Sequence, residues 1–291
     1  MDLLRTFGHA LRTNPRLVVG LILIIVIVAV GALHGVIINA IGQGEDPMAV
    51  GFAKRWLQPS PQHPLGTDQV GRDVLALLVD GLWTSLKIGA LGGVLSTVIG
   101  IVVAFFSAYR GGWLDSLLAT TTDLFLVIPT LPLLIAYSGF ASHISLLQVS
   151  VILAVFSWAG AARTIRSHVL SLRTRSYVDL AKITKESDVK IVLFELVPNM
   201  LPYIALGLAL AVINTIFALV GLELIGLGPS GIQDLGLMIN ASVQNGALSL
   251  GAWPMFVAPI VVLSAIFFAL NLINVGLDES FNPRLRKVAG A

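Results

Sequence analysis

Residues 17–38 read LVVGLILIIVIVAVGALHGVII, an apolar run without Asp, Glu, Lys or Arg. About 20 such residues, folded as a helix, cross the roughly 30 Å hydrocarbon core of a bilayer. Hydrocarbon offers no hydrogen-bond partner to the backbone, so a spanning run must satisfy its amides internally, as a helix does. The stretch therefore predicts a transmembrane helix.

Five more apolar segments of near-spanning length follow along the chain. They are Leu86–Tyr109, Leu124–Phe140, Leu146–Ala162, Leu201–Leu222 and Trp253–Val275. The composition agrees, because only 12% of the residues are charged, against about 25% in soluble domains, and the mean hydropathy is +0.90. The sequence predicts an all-α polytopic membrane protein with six transmembrane helices.

The first run also fits a secretory signal peptide, because Arg5, Arg12 and Arg16 precede it. However, it is longer than the about 7 to 15 residues of a signal-peptide core, and it lacks an obvious small-x-small cleavage site. We therefore expect it to be retained as a transmembrane helix.

The orientation follows from the distribution of Lys and Arg, which accumulate on the cytoplasmic side of membrane proteins. A cytoplasmic N-terminus places 14 of the 18 cationic residues in the cytoplasm, seven of them in residues 163–190. Both termini are therefore predicted to be cytoplasmic. The predicted regions are a cytoplasmic N-terminus (1–16), the first span (17–38), an external segment (39–84), a five-helix core (85–277) with a cytoplasmic loop (163–199), and a cytoplasmic tail (278–291).

Signals for enzymatic chemistry are missing from the sequence. The chain has no cysteine, and its five histidines fall in different segments without a metal-binding spacing. It contains neither a GxSxG elbow nor a phosphate-binding loop. We expect no catalytic residue, metal or cofactor, so ATP that drives this protein would be hydrolysed by another chain. The net charge of +2 is too small to suggest nucleic-acid binding.

Polar residues inside the predicted spans are candidates for a translocation pathway. Asn214, Glu223 and Asn271, with Asn274 nearby, are the candidates in spans five and six. They could equally bond neighbouring helices. The bilayer centre holds no chain of carboxylates, which argues against an ion-coupled carrier.

The stretch from Tyr177 to Pro202 reads YVDLAKITKESDVKIVLFELVPNMLP. It resembles the cytoplasmic loop of ABC importer permeases, whose motif runs E-A-A, three residues, G, nine residues, I-x-L-P. Asp179 stands for the Glu, Ala181 for the second Ala and Lys185 for the Gly. The resemblance implies the type I ABC importer permease fold.

Further strings resemble the second, C-type permease of the peptide and nickel class. The string HPLGTDQVGRD precedes span two, GLG follows span five at 226–228, and NPRLR lies at 282–286. Trp158, Ala162, Arg163 and Arg166 match its W-x-x-x-A-R-x-x-R pattern. The residues of the first string that match the subfamily are His63, Gly66, Thr67, Asp68, Gly71, Arg72 and Asp73. Asp68, Arg72 and Asp73 could pair locally and pin the external segment onto span two, or the string could dock a binding protein.

The resemblance implies a coupling helix over Asp179–Asp188 that docks into a groove of a separate ATPase. Val178, Ala181 and Ile183 are the expected apolar anchors, and the expected polar rim and end of this helix are Lys182, Lys185, Glu186, Ser187 and Asp188. The implied partners are a second homologous permease, two ABC ATPase subunits, an extracytoplasmic substrate-binding protein and the lipid bilayer of the inner membrane. In span two, Gly89, Gly92, Gly93 and Gly100 would permit close helix contact, either at a moving interface or in static packing.

The cargo stays open between several classes. The class name points to di- or oligopeptides, or to nickel or another small solute. The NPRLR and VPNMLP stretches look more like the oligosaccharide-importing branch of the same subfamily. An ion-coupled carrier and a membrane enzyme are the two rival functions.

Overall fold

The computed structural model describes residues 11, 14–138, 145–229 and 231–281. In this part of the chain the regular elements are helical. They are α1 (Pro15–Ala32), α2 (His34–Gly42), α3 (Val74–Arg110), α4 (Gly112–Val127), α5 (Thr130–Ser138), α6 (Leu146–Leu172), α7 (Ser176–Ile183), α8 (Val197–Leu224), α9 (Leu235–Gln244) and α10 (Trp253–Phe281). A helical turn, Asp188–Lys190, and a π-helix, Ile191–Leu196, lead directly into α8.

Five helical stretches of the described residues are long and apolar enough to span a membrane. They are Pro15–Ala32, Val74–Arg110, Leu146–Leu172, Asp188–Leu224 and Trp253–Ser280. Five of the predicted spans therefore coincide with a long apolar helix, and the all-helical membrane fold is confirmed.

The third predicted span, Leu124–Phe140, is not one helix. α4 ends at Val127, Ile128 is extended, and α5 begins at Thr130. Pro129 explains the break, because proline disfavours helical geometry in the residue before it. Two consecutive short helices thus replace the expected single span. The predicted hairpin turn at 141–145 lies largely outside the described residues.

Several boundaries also differ from the sequence-based ones. The first span is broken at Leu33 into α1 and α2. α3 begins at Val74, about three turns before the expected start, because the Asp73 side chain caps it by accepting from the backbone N–H of Ala76 at 3.0 Å. The irregular segment before α3 therefore ends at residue 73 rather than 84. At the C-terminal end α10 runs to Phe281, so the predicted tail begins as helix, and the NPRLR string lies outside the described residues.

α3 is the central helix of the bundle, and its glycines allow the neighbours to approach. A Cβ at Gly92 would lie 2.6 Å from Thr215 Cγ2, and one at Gly93 would lie 2.9 Å from the backbone nitrogen of Val212. Gly100 meets Ala161 and Ala162 of α6 in the same way. These glycines therefore serve close packing within the chain, on α6 and α8.

A hydrophobic cluster joins the last turns of α3 to the loop that holds α7. Its buried members are Ala104, Phe105, Ala108, Ile165, Val169, Val178, Ala181, Ile191, Leu196 and Met200. This cluster seats the predicted coupling segment on the end of the bundle, which we call the α7 end.

Candidate coupling and pathway sites

α7 has one face in the core of the chain and one face outside it. Val178 is fully buried and Ala181 is 8% exposed, whereas Leu180 is 62% and Ile183 76% exposed. Positions three apart share a helix face, so the two pairs define two different faces. The expectation that Val178 and Ala181 anchor a partner is wrong, because both are packed in the hydrophobic cluster of their own chain. Of the three expected anchors, only Ile183 is on the surface, and Leu180 joins it there.

The predicted coupling helix over Asp179–Asp188 ends early, at Ile183. The next turn reverses the chain: Lys185 has φ +58°, and the Glu186 N–H donates to the Ala181 carbonyl at 3.1 Å. A left-handed residue whose successor donates its N–H to the carbonyl five residues earlier is the Schellman motif at the end of a helix. Glycine is preferred at the left-handed position of this motif. Lys185 occupies the place of the glycine in the resembling motif, and the backbone there explains why glycine suits it.

The remaining expected coupling residues lie in and after this turn. Ser187 accepts from the backbone N–H of Lys190 at 3.4 Å, and Lys190 Nζ donates to Glu186 at 2.6 Å. The Tyr109 hydroxyl donates to Asp188 at 3.2 Å, which ties the turn to the end of α3. Asp179 is exposed, and Lys182 lies in α7. The turn is therefore a structured surface attached to the bundle.

Two arginines of the W-x-x-x-A-R-x-x-R pattern pair with carboxylates of α4. Arg166 donates through Nε and a terminal nitrogen to the two oxygens of Asp115, at 2.8 and 2.7 Å. Arg163 lies 3.7 Å from Asp123, with both side chains mostly exposed. The bidentate Arg166–Asp115 pair fixes the relative orientation of the two side chains as well as stabilising their contact. The pattern therefore joins α6 to α4 near the α7 end.

The HPLGTDQVGRD string builds a compact turn at the opposite end of the bundle. Gly66 and Gly71 have φ of +76° and +81°, and a Cβ on either would lie 2.2 Å from a backbone carbonyl oxygen, so only glycine fits. Asp68 is fully buried and accepts from the backbone N–H of Arg72 at 2.8 Å and from its Nε at 2.6 Å. The expected local pairing of Asp68 with Arg72 is present.

The remaining residues of this string fasten the turn to α3. Asp73 caps α3 with one oxygen and contacts His63 Nδ1 at 2.8 Å with the other. Thr67 donates to the Lys54 carbonyl at 2.6 Å and accepts from the Leu57 N–H at 2.8 Å. Thr67 and Asp73 are at most 1% exposed. These contacts favour a local structural role over direct docking of a partner.

The polar pathway candidates fall into two groups. Asn214 of α8 and Asn271 of α10 are exposed on the outside of the bundle, so they face away from the described part of the chain. Glu223 is only 2% exposed and does not line a surface, which corrects its expected place in a pathway. Asn274 is also buried, and its amide has no hydrogen-bond partner among the described residues.

Glu223 is enclosed at the end of α8 by the GLG turn and α9. A Cβ on Gly228 would lie 1.8 Å from Glu223 Cδ, so the glycine makes room for the carboxyl group. Asp234, fully buried, caps α9 by accepting from the N–H groups of Gly236 and Leu237 at 2.7 and 3.1 Å. Burial raises the pKa of Asp234. The sequence reasoning missed Asp234, although an Asp just before a helical run is a recognisable cap signal.

Within the described ranges, no group of three or more His, Asp or Glu side chains is placed to hold a metal ion. The features of the described residues that suit a partner protein or a cargo are the exposed face of α7 and the outward polar groups of α8 and α10.

Comparisons with known proteins agree on one kind of molecule. The family described as "Binding-protein-dependent transport system inner membrane component" matches residues 96–287. The oligopeptide transport system permease protein OppC of Mycobacterium tuberculosis is 32% identical over 232 residues, which is 79% of each chain. The dipeptide transport system permease protein DppC of Haemophilus influenzae is 26% identical over 286 residues, 98% of this chain and 96% of that protein.

One solved structure shares the fold. A chain of the MetNI methionine ABC transporter, in an inward-facing conformation, superposes with a TM-score of 0.55 at 21% identity. The match covers 70% of this chain and 97% of the other. The helical arrangement is therefore one that occurs in an ABC transporter.

Proposed function

The chain belongs to the family of binding-protein-dependent transport system inner membrane components, and we propose that it forms, with a second permease, the pathway of an ATP-driven importer of di- or oligopeptides. It is a multi-pass permease subunit and not an enzyme. ATPase subunits and an extracytoplasmic binding protein complete a transport system of this family. The finer proposal is one second permease and two ATPase subunits for each copy of this chain.

The two faces of α7 are the observation that carries the coupling proposal. Leu180 and Ile183 present an exposed apolar patch beside charged residues of the following turn. An amphipathic helix whose apolar residues enter a groove of a partner is a recurrent recognition mode. The buried face of the same helix packs in the hydrophobic cluster that also holds residues of α3, α6 and the π-helix, so a push on α7 reaches the membrane helices through that cluster. We assign the exposed face to the ATPase groove.

The pathway is proposed to run along the outward polar groups of α8 and α10. Asn214 and Asn271 sit on otherwise apolar helices, and polar groups exposed to lipid are costly. A water-filled path shared with a second permease would remove that cost. Asn214→Leu and Asn271→Leu should then change transport rate while the fold is retained.

The proposed cargo follows the relatives, whose names specify oligopeptides and dipeptides. An oligosaccharide remains the second candidate, since the VPNMLP stretch is similar to that branch. Uptake of a labelled tripeptide and a labelled trisaccharide by cells that carry the complete system distinguishes the two. Uptake of the sugar alone would overturn the peptide assignment.

The proposed orientation places both termini and α7 in the cytoplasm, because most Lys and Arg residues lie on that side. The absence of cysteine from the sequence makes accessibility labelling clean. Cysteines at Ser171 and Ser249, both exposed positions at opposite ends of the bundle, form a matched pair. Ser249→Cys should react with an impermeant reagent in intact cells and Ser171→Cys should not; the reverse pattern would contradict the orientation.

The coupling proposal is tested by co-purification with the ATPases. Leu180→Asp combined with Ile183→Asp should abolish ATPase binding and uptake, because charges would enter an apolar contact without partners. Leu248→Asp is the matched control, since Leu248 is similarly exposed, at 54%, but lies at the other end of the bundle. Normal ATPase binding by the double variant would show that α7 is not the docking helix.

A further inference from the structure

An apolar groove opens beside the α7 end, between α3 and the π-helical entry to α8. Ile101, Phe105 and Tyr109 line one wall, and Val189, Val192 and Leu193 line the other. Its cavity volume is about 250 Å³, below the about 300 to 1,000 Å³ of pockets that enclose whole small molecules. Most of its lining side chains are apolar, so the groove suits an apolar chain, such as part of a larger ligand, rather than a polar molecule.

The depth of the groove matches one leaflet of a bilayer. Ile101 and Arg110 bound it along α3, and the nine residue steps from one to the other correspond to about 14 Å at the helical rise of about 1.5 Å. Half of the roughly 30 Å hydrocarbon core is about 15 Å. A ligand lying along the groove from Arg110 to Ile101 would extend from the head-group level to the middle of the membrane.

The outer end of the groove is positively charged. Arg110 is exposed and forms no ion pair with any described residue. Arg173 donates to the Ala108 carbonyl at 2.6 Å, and its guanidinium lies beside Gly111, next to Arg110 in the chain. One carboxylate, Asp188, also lines the groove and accepts from the Tyr109 hydroxyl. Two cations and one anion therefore flank the mouth of an apolar slot, which leaves a net positive charge.

The rim of the groove is open to the surroundings. Val102, Phe106 and Leu193 are 49%, 54% and 53% exposed. The π-helix that holds Val192 and Leu193 of the second wall is a rare geometry that is frequent at functional sites. The groove has apolar walls about one leaflet deep and arginines at its mouth. These features are complementary to an amphiphile with an acyl chain and an anionic head group.

We propose that this groove binds an anionic phospholipid, with one acyl chain along α3 and the phosphate at Arg110. Such a lipid would brace the α7 loop against α3 and fill a gap that protein side chains leave. The proposal goes beyond the transport function, because it assigns a lipid ligand to a site away from the pathway residues and from the exposed face of α7.

Native mass spectrometry of the full chain tests the proposal with phosphatidylglycerol and phosphatidylcholine of identical acyl chains. Wild type should bind phosphatidylglycerol about fivefold more tightly, the preference that one surface cation gives for anionic lipid. Arg110→Gln should reduce phosphatidylglycerol binding to the level of phosphatidylcholine. Leu193→Trp, at a half-exposed position that tolerates bulk, should weaken both lipids by filling the slot.

Arg55→Gln is the matched control for charge, since Arg55 is an exposed arginine at the opposite end of the bundle. It should leave both affinities unchanged. A phosphatidylglycerol with a photoreactive acyl chain provides a second readout in the wild-type protein and should label Val102 or Val189. Equal binding of the two lipids by wild type would overturn the proposal. So would labelling spread evenly over the exposed faces of α1 and α6, or loss of the preference once the ATPases and second permease are bound.

Discussion

Val178 and Leu180 are two residues apart on α7, yet their truncation to alanine should affect different properties of the protein, the attachment of α7 in one case and ATPase binding in the other. Val178 is fully buried in the cluster that seats α7 on the bundle. Val178→Ala removes two methyl carbons, worth about 0.8 kcal/mol each in transfer free energy, and leaves a cavity with a further cost. The better helix propensity of alanine returns about 0.5 kcal/mol. The free energy that holds α7 to the bundle should fall by about 2 kcal/mol.

Leu180→Ala should leave that free energy within about 0.5 kcal/mol, because Leu180 is 62% exposed. It should instead weaken ATPase binding, since it removes an apolar anchor from the proposed contact. Hydrogen exchange of the α7 amides and co-purification of the ATPases measure the two effects separately. For Val178→Ala the matched control is Val189→Ala, which is the same valine-to-alanine substitution at a 68% exposed position after the turn.

The face assignment predicts faster exchange in α7 for Val178→Ala alone and the larger loss of ATPase binding for Leu180→Ala. Equal acceleration of exchange in both variants would show that Leu180 is packed within the chain. Loss of ATPase binding by Val178→Ala without faster exchange would restore Val178 as a docking anchor and refute the two-face reasoning.

Three further substitutions test other parts of the structure. Burial raises the pKa of Asp234 above its unfolded value, so protonation of this carboxyl stabilises the fold in acid, and this contribution is lost as pH rises through the folded-state pKa. Asp234→Asn keeps a capping side chain and should flatten the pH dependence of the thermal unfolding temperature. An unchanged pH dependence would contradict the assignment. Lys185→Gly should slow hydrogen exchange at the end of α7, gaining up to about 1 kcal/mol by relieving the left-handed backbone at φ +58°; faster exchange would mean that the lysine side chain contributes more than its backbone costs. Gly228→Ala should destabilise the protein by about 1 to 3 kcal/mol, because the added Cβ would lie 1.8 Å from the buried Glu223 Cδ. An unchanged melting temperature would show that the GLG turn adjusts freely.

The parts of the fold that the sequence predicted are those governed by the bilayer. Uninterrupted apolar runs locate the long helices, because spanning length and backbone satisfaction leave few alternatives. The prediction failed where a local residue overrides hydropathy. Pro129 splits the third span, and Asp73 starts α3 well before its apolar run. Prolines and capping residues are visible in the sequence, but which of them act depends on the packing around them.

The candidate site was predicted in position but not in detail. The motif of the 177–202 stretch located the α7 loop, yet hydropathy alone could not assign which apolar residues of a short helix face inward. Val178 and Ala181 lie inside because α3 and α6 end beside them, a tertiary fact that no local pattern carries. Glu223 was similarly misassigned, because the GLG turn and the start of α9 fold back over its side chain, and hydropathy does not show which way a turn folds.

ATP-dependent peptide uptake by reconstituted vesicles tests the central claim most directly. The vesicles would hold this chain, its second permease and the two ATPases, with the binding protein and a labelled oligopeptide outside and ATP inside. The proposed function predicts accumulation that requires ATP hydrolysis by the ATPases and stops in the Leu180→Asp, Ile183→Asp variant while Leu248→Asp continues. Accumulation driven by an ion gradient with this chain alone, and indifferent to ATP, would contradict it.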